Sequence, residues 1–193
     1  MPNISASKTA GFTLVEMLVA VALFALLGGI VFQFFVSCFV LQRNTLSIQE
    51  STNQVSFMAE YMGRALRQAK KELADPAACL TGVGRGWNYE VSPTNDSITF
   101  LDRNGICRHF LLSGNQIMEQ ISTDHQAANF GAAQSLTPLA MTVTNFRVVQ
   151  QGADQQVALQ PRVTFVIEAE GEGAAAKVRV QTTISQRTFD VVY

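Results

Sequence analysis

The sequence predicts an α+β fold, with one long N-terminal helix laid on an antiparallel β-sheet domain. Three observations point to it. Residues 17–42 contain no Asp, Glu, Lys or Arg. An amphipathic helical pattern continues beyond them, and period-two alternation then dominates the second half of the chain. The 193 residues hold 14 Lys and Arg against 15 Asp and Glu, a formal charge of −1. That balance does not fit a strongly basic protein held on nucleic acid by phosphate contacts. With 48% hydrophobic residues the chain is also too apolar for a disordered one. Charged residues make up only 15% of the chain, below the roughly 25% usual in soluble domains, because the N-terminal segment lowers the average.

In residues 17–42 only Gln33, Ser37 and Gln42 are clearly polar. An apolar helix of about 20 residues spans a bilayer core, so this segment is long enough. A buried core helix normally shows a polar face, which this segment does not. A cleaved secretory signal fits poorly too. Lys8 supplies a basic start, but the apolar run is too long and no small-x-small site follows it. Gly28-Gly29 reads as either close helix packing or local flexibility. Cys38 reads as a small residue facing lipid or another helix.

The start of the segment is more specific. Glu16 places a carboxylate just inside apolar sequence, which costs at least about 2.5–3.5 kcal/mol without a partner. If the chain were cut after Gly11, the new amine of Phe12 would lie one helical turn from Glu16. The run Gly11-Phe12-Thr13-Leu14-Val15-Glu16 resembles the processing site of type IV prepilins and type II secretion pseudopilins. The resemblance implies cleavage between Gly11 and Phe12 by a prepilin peptidase and N-methylation of Phe12. It also implies pairing of Glu16 with the amine of an adjacent subunit during filament assembly. Residues 1–11 would be the leader and residues 12–42 the transmembrane and filament-core helix. Major pilins often carry a Pro partway along this segment, and this chain has none there. Lys8 and Arg43 flank the span with little charge bias, so orientation rests on the resemblance. That orientation is single-pass in a bacterial inner membrane, with the C-terminal domain in the periplasm or outside.

Residues 43–75 are expected to form the amphipathic half of the helix. Val55, Met58, Met62, Ala65, Leu66, Ala69 and Leu73 follow helical spacing, with Glu60, Arg64, Gln68 and Lys71 opposite. Asp75-Pro76 supplies the stop. A helix over 12–74 would be about 95 Å long.

Residues 76–193 are expected to form a β-rich head. Gly82, Gly84 and Gly86 read as a flexible loop, since a phosphate loop would need a Lys-Ser/Thr end and a strand–helix setting. Strands are expected at 97–101, 106–112, 116–121 and 141–149. Turns fall at Asp102-Arg103-Asn104-Gly105 and Ser113-Gly114-Asn115. Residues 123–137 read as a long surface loop. Val163, Phe165 and Ile167, then Val178, Val180, Thr182 and Ile184, alternate with more polar neighbours, so one sheet face is buried. Residues 169–176 join these two strands, and the helix stripe is available to cover the buried face. The ending, Leu136-Thr137-Pro138 followed by strands closing at Thr183-Ile184-Ser185-Gln186-Arg187, further resembles the J-type pseudopilin and the W-type minor pilin.

In an exported head, Cys79 and Cys107 would be free to form a disulfide, with two unpaired thiols as the alternative. Cys107 and His109 share a strand face but have neither further ligands nor an orienting acid, and Asp124-His125 is merely adjacent. No catalytic residue, metal or cofactor is expected, and the chain is not expected to be an enzyme. The resemblance implies a non-catalytic minor pilin or pseudopilin that helps initiate or cap a pseudopilus or pilus. Its partners would be other minor and major pilins or pseudopilins, the inner-membrane assembly platform, prepilin peptidase and membrane lipid, with no nucleic acid. The alternative is a tip subunit for ligand binding or DNA uptake with the same N-terminal helix. Lys70-Lys71 and the scattered arginines are too few to favour DNA.

Overall fold

The computed structural model describes residues 11–124, 129–152, 160–171 and 177–186. It divides into two units, Met1–Arg43 and Asn44–Tyr193. Helix α1, Leu14–Arg67, belongs to both. Eight strands follow: β1 (Tyr89–Val91), β2 (Ser97–Leu101), β3 (Cys107–Ser113), β4 (Gln116–Ile121), β5 (Gln134–Ser135), β6 (Thr142–Gln151), β7 (Arg162–Glu170) and β8 (Lys177–Ser185). The fold class is the predicted one, a long N-terminal helix packed on antiparallel sheet. The strands form two sheets rather than one, β1-β2-β3-β4-β5 and β6-β7-β8, all paired antiparallel.

In the first unit α1 runs through Gly28 and Gly29 without a break. Its side chains are exposed, Phe24, Phe32 and Phe34 among them. A Cβ at Gly28 or Gly29 would touch nothing else in this chain. By length and composition α1 can cross a membrane.

In the second unit the helix stripe meets both sheets. Val55, Met58, Ala59, Met62, Leu66 and Ala69 share one core with Tyr89, Ile98, Phe100, Phe110 and Ile117 from the first sheet. Val143, Phe146, Val148, Val163, Phe165, Ile167 and Ile184 join it from the second. Each large side chain buried there contributes about 1.5–3 kcal/mol. Strand β7 shows the predicted alternation, with Val163, Phe165, Ile167 and Ala169 inward. Two asparagines in the left-handed region, Asn95 (φ 61°) and Asn115 (φ 64°), let tight loops of the first sheet reach the second. Their carbonyls accept the Val148 and Val143 amides of β6, both at 2.8 Å.

The helix ends at Arg67, seven residues before the expected Asp75-Pro76 stop, and the cause is tertiary. The carbonyls at and just past its end are taken by the fold: Tyr89 Oη donates to Leu66 O at 2.8 Å, and Gln186 Nε2 to Ala69 O, two residues beyond the helix, at 2.8 Å. The Lys70 amide donates to Leu101 O, and Glu72 exchanges backbone bonds with Trp87 and Gly86. Bonds that another helical turn would have made go to the sheet instead. Leu73, expected on the apolar stripe, therefore lies beyond the helix and is exposed.

The turn at 102–105 is an Asp-capped loop. Asp102 Oδ1 accepts the Asn104 and Ile106 amides at 2.7 and 2.9 Å. At 113–116, Gly114 (φ 56°) and Asn115 form a two-residue hairpin with both central residues left-handed. Strands β1 and β5 were not foreseen, and β5 interrupts the loop expected over 123–137. The expected leader residues 1–10, His125, most of the 169–176 connection and Arg187 lie outside the described residues.

Candidate functional site

The processing and assembly residues sit at the very start of α1. Gly11, Phe12 and Thr13 precede the helix and are exposed, with open space around Gly11. Thr13 is the N-cap: its Oγ1 accepts the Glu16 amide at 3.3 Å, and its carbonyl takes the Met17 amide at 3.2 Å. Thr13-Leu14-Val15-Glu16 thus has the spacing of a capping box, a local signal that the sequence reading passed over. Glu16 has a second, structural reason to be in the first turn, where a carboxylate suits the helix dipole. Its side chain is exposed and has no ion-pair partner among the described residues. The geometry supplies a non-helical, accessible Gly-Phe bond, followed at once by a rigid apolar helix with a carboxylate near its tip.

In the head, Cys79 and Cys107 are joined by a disulfide with Cα atoms 5.5 Å apart. Both are buried in a small core with Leu80, flanked by Val83, Trp87, Leu101 and Phe130. The loop carrying Cys79 is pinned by Glu72, whose carboxylate accepts the Ala74 and Cys79 amides at 3.0 and 2.9 Å. The Gly82–Gly86 stretch is tied down as well. Gly82 N donates to Glu90 Oε2 at 3.0 Å, Gly84 N to Leu80 O and Gly86 N to Glu72 O. Gly84 and Gly86 have φ of 88° and 95°, which a side chain would strain.

The disulfide removes Cys107 as a thiol, so the Cys107–His109 pair is not a nucleophilic centre. No cluster of three metal-ligating side chains occurs among the described residues. His109 is half-buried, its ring 5.5 Å from that of Phe130. Burial pushes its pKa below the ordinary value, against the opposing pulls of a Gln120 hydrogen bond and the charges of Glu90 and Asp96. The unfolded imidazole takes up a proton near pH 6.5, and the folded one only at lower pH. Between those values the unfolded chain binds more protons. The His109 contribution is therefore fully present above about pH 6.5 and lost as pH falls through the folded pKa. The urea midpoint of the full chain in detergent, read by Trp87 fluorescence, is expected to drop between about pH 7.5 and about pH 5.5. In His109→Gln the drop should be smaller. An identical drop would remove His109 as its source.

Among the buried polar residues, Glu119 had a readable signal in the sequence. Glu119 is almost fully buried and accepts from Tyr61 Oη at 2.7 Å and Arg108 Nη1 at 3.1 Å. Arg108 Nε lies 3.3 Å from the buried Asp102 carboxylate. The signal was present, because Glu119 stands between Ile117 and Ile121 on the same period-two face of β4. A carboxylate in core phase demands a partner.

Residues 6–32 match the family model of the prokaryotic N-terminal methylation motif. Comparison with curated proteins and with solved structures gives no match. The motif supports a protein of the type IV pilin-like and pseudopilin kind, and the helix-on-sheet head has the architecture of pilins. The motif implies assembly with other pilins and processing by prepilin peptidase, in a family that is structural rather than catalytic. Together with the apolar helix it fits membrane anchoring.

Proposed function

We propose that this chain is a prepilin, cut between Gly11 and Phe12 and methylated on Phe12. It then enters a type II secretion pseudopilus or type IV pilus as a non-catalytic minor subunit of the J-type or W-type kind. The observation that carries the proposal is the methylation motif over residues 6–32, which lies at the accessible start of an exposed apolar helix. In this reading the segment 12–42 first holds the chain in the inner membrane, with the head on the far side from the cytoplasm. It then joins the apolar core of the filament. Cleavage turns the Phe12 amide into an amine one helical turn from Glu16. In an apolar setting a lone carboxylate costs several kcal/mol, so an amine from a neighbouring subunit stabilises insertion and sets the axial position. Partners are other minor and major subunits and the inner-membrane assembly platform, and chemistry on a substrate plays no part.

The test is the intact mass of membrane-extracted protein from cells with and without prepilin peptidase. Loss of residues 1–11 and gain of one methyl, only where the peptidase is present, is the expected result. A chain that keeps Met1 in peptidase-containing cells would overturn the reading.

A further inference from the structure

Strand β8 leaves one edge of the second sheet open. The order β6-β7-β8 makes it terminal. It runs nine residues without a proline, and its register with β7 does not shift. Gln186 N donates to Pro161 O, and bonding alternates along an antiparallel ladder. Val178, Val180, Thr182 and Ile184 therefore bond β7, while Lys177, Arg179, Gln181, Thr183 and Ser185 turn amide and carbonyl outward. Those outward groups meet no backbone partner among the described residues. The other sheet edges are bonded or short. The Asn95 and Asn115 carbonyls hold the outer side of β6, and β1 and β5 are three and two residues long. Native proteins blunt long edges, and β8 is the long one left bare among the described strands. We propose that β8 is a docking strand, beside which an extended segment of a different polypeptide adds to the sheet.

The edge itself sets the chemistry of the occupant. Outward N–H and C=O groups on five alternate residues match an extended main chain. They do not match a helix, whose groups are bonded internally, nor a lipid or a nucleic acid. Beside the edge lies a hollow of about 330 Å³ between β8 and α1. Val180 and Thr182 line it from the strand, and Ala59 and Gly63 are too small to fill it from the helix. Glu60 and Arg64, paired with each other, stand on the same wall. An added strand would turn every second side chain towards this hollow, so small or apolar residues at alternate positions fit. Lys177 and Arg179 do not guard the edge, because Glu170 and Glu168 of β7 engage them at 2.8 and 3.2 Å. The choice of a different chain rests on the assembly reading above. A Cβ at Gly171 would meet Ser51 and one at Gly63 would meet Ile184, so α1 runs in the direction of β8. Two copies joined β8 to β8 would either run these helices in opposite directions or set them on opposite faces of the sheet. Neither suits subunits that enter one filament core together.

The experiment uses the full chain in its native membranes, with photoreactive benzoylphenylalanine placed in turn at Arg179, Gln181 and Thr183. Adducts are mapped by peptide mass spectrometry. The expected adducts lie in one segment of one other protein. They step through it two residues at a time as the probe moves two residues along β8. Gln181→Pro removes an outward N–H that the head does not use, with Gln181→Ala as its control. Proline should lower the Thr183 adduct about tenfold and leave the urea midpoint, read by Trp87, at the alanine value. If the proline chain unfolds early, the stepping alone decides. Adducts without stepping, or indifferent to proline at matched stability, overturn the proposal. Stepping through residues 177–185 of a second copy overturns the different partner, and with it the common direction that assembly requires. Capture of lipid or its own head only overturns the docking strand, and assembly then stands or falls on the mass measurement.

Discussion

Glu119→Ala is expected to destabilise the head by about 3–5 kcal/mol, the usual result of breaking a buried charge pair from one side. The carboxylate holds Tyr61 on α1 and Arg108 on β3 at once. Removing it leaves a hydroxyl and a largely buried cation that lose their shared acceptor, with only Asp102 beside the guanidinium. A cavity opens as well. Glu119→Gln keeps one acceptor and should cost about 1–2 kcal/mol, and Tyr61→Phe about 1 kcal/mol. The measurement is denaturant unfolding of the full chain in detergent, followed by the single tryptophan, Trp87, which packs against both clusters of the head. If Glu119→Ala unfolded at the wild-type midpoint, these bonds would not be what fastens the helix to the first sheet.

The second large effect is expected at the disulfide. Cys79 and Cys107 are 28 residues apart in sequence. On the chain-entropy account, closing a loop of that size raises stability by about 3–4 kcal/mol. Replacing both with alanine should lower the unfolding free energy by about that amount, and the loss of two buried sulfurs adds a smaller packing cost. Wild type treated with reductant under mild denaturation should converge on the double variant. If the alanine pair matched oxidised wild type in the same unfolding assay, the bridge would carry no stability. The sensitive region is the small core around Leu80, Val83, Trp87 and Phe130, which has few large side chains of its own. A chain held in a reducing compartment would lose the bridge, so the stability of the head depends on where it is made.

Much of the architecture was legible because periodicity is local. The uncharged run over 17–42, the stripe from Val55 to Leu66 and the inward Val163, Phe165 and Ile167 each declare their partner surface within a few residues. Four features were not legible. The helix end at Arg67 is decided by Tyr89, Leu101 and Gln186, residues far along the chain that no local signal names. Strands β1 and β5 are three and two residues long, too short for alternation to register. The division into two sheets, bridged where Asn95 and Asn115 accept amides of β6, is a matter of tertiary placement. The Glu119 network was visible only as a carboxylate in core phase, a conflict between residue type and period. At the N-terminus the residues Gly11, Phe12 and Glu16 were legible as a motif, and the cap at Thr13 was written in the same run as the spacing of Thr13 and Glu16.

The clasp on the end of α1 bears on the order in which the protein is made. Gln186 donates to Ala69 across 117 residues, its amide reaches Pro161 O, and Gln160 holds its carbonyl. Ribosomal synthesis delivers α1 first and this glutamine among the last of the described residues. The apolar segment 17–42 is therefore made well before the head can be finished. Contacts of such sequence separation form late and slowly. Until β7 and β8 arrive, the stripe from Val55 to Leu66 has only part of its cover, and the core it shares with Val163, Phe165, Ile167 and Ile184 is incomplete. The topology leaves a delay between synthesis of the helix and closure of the core it packs into.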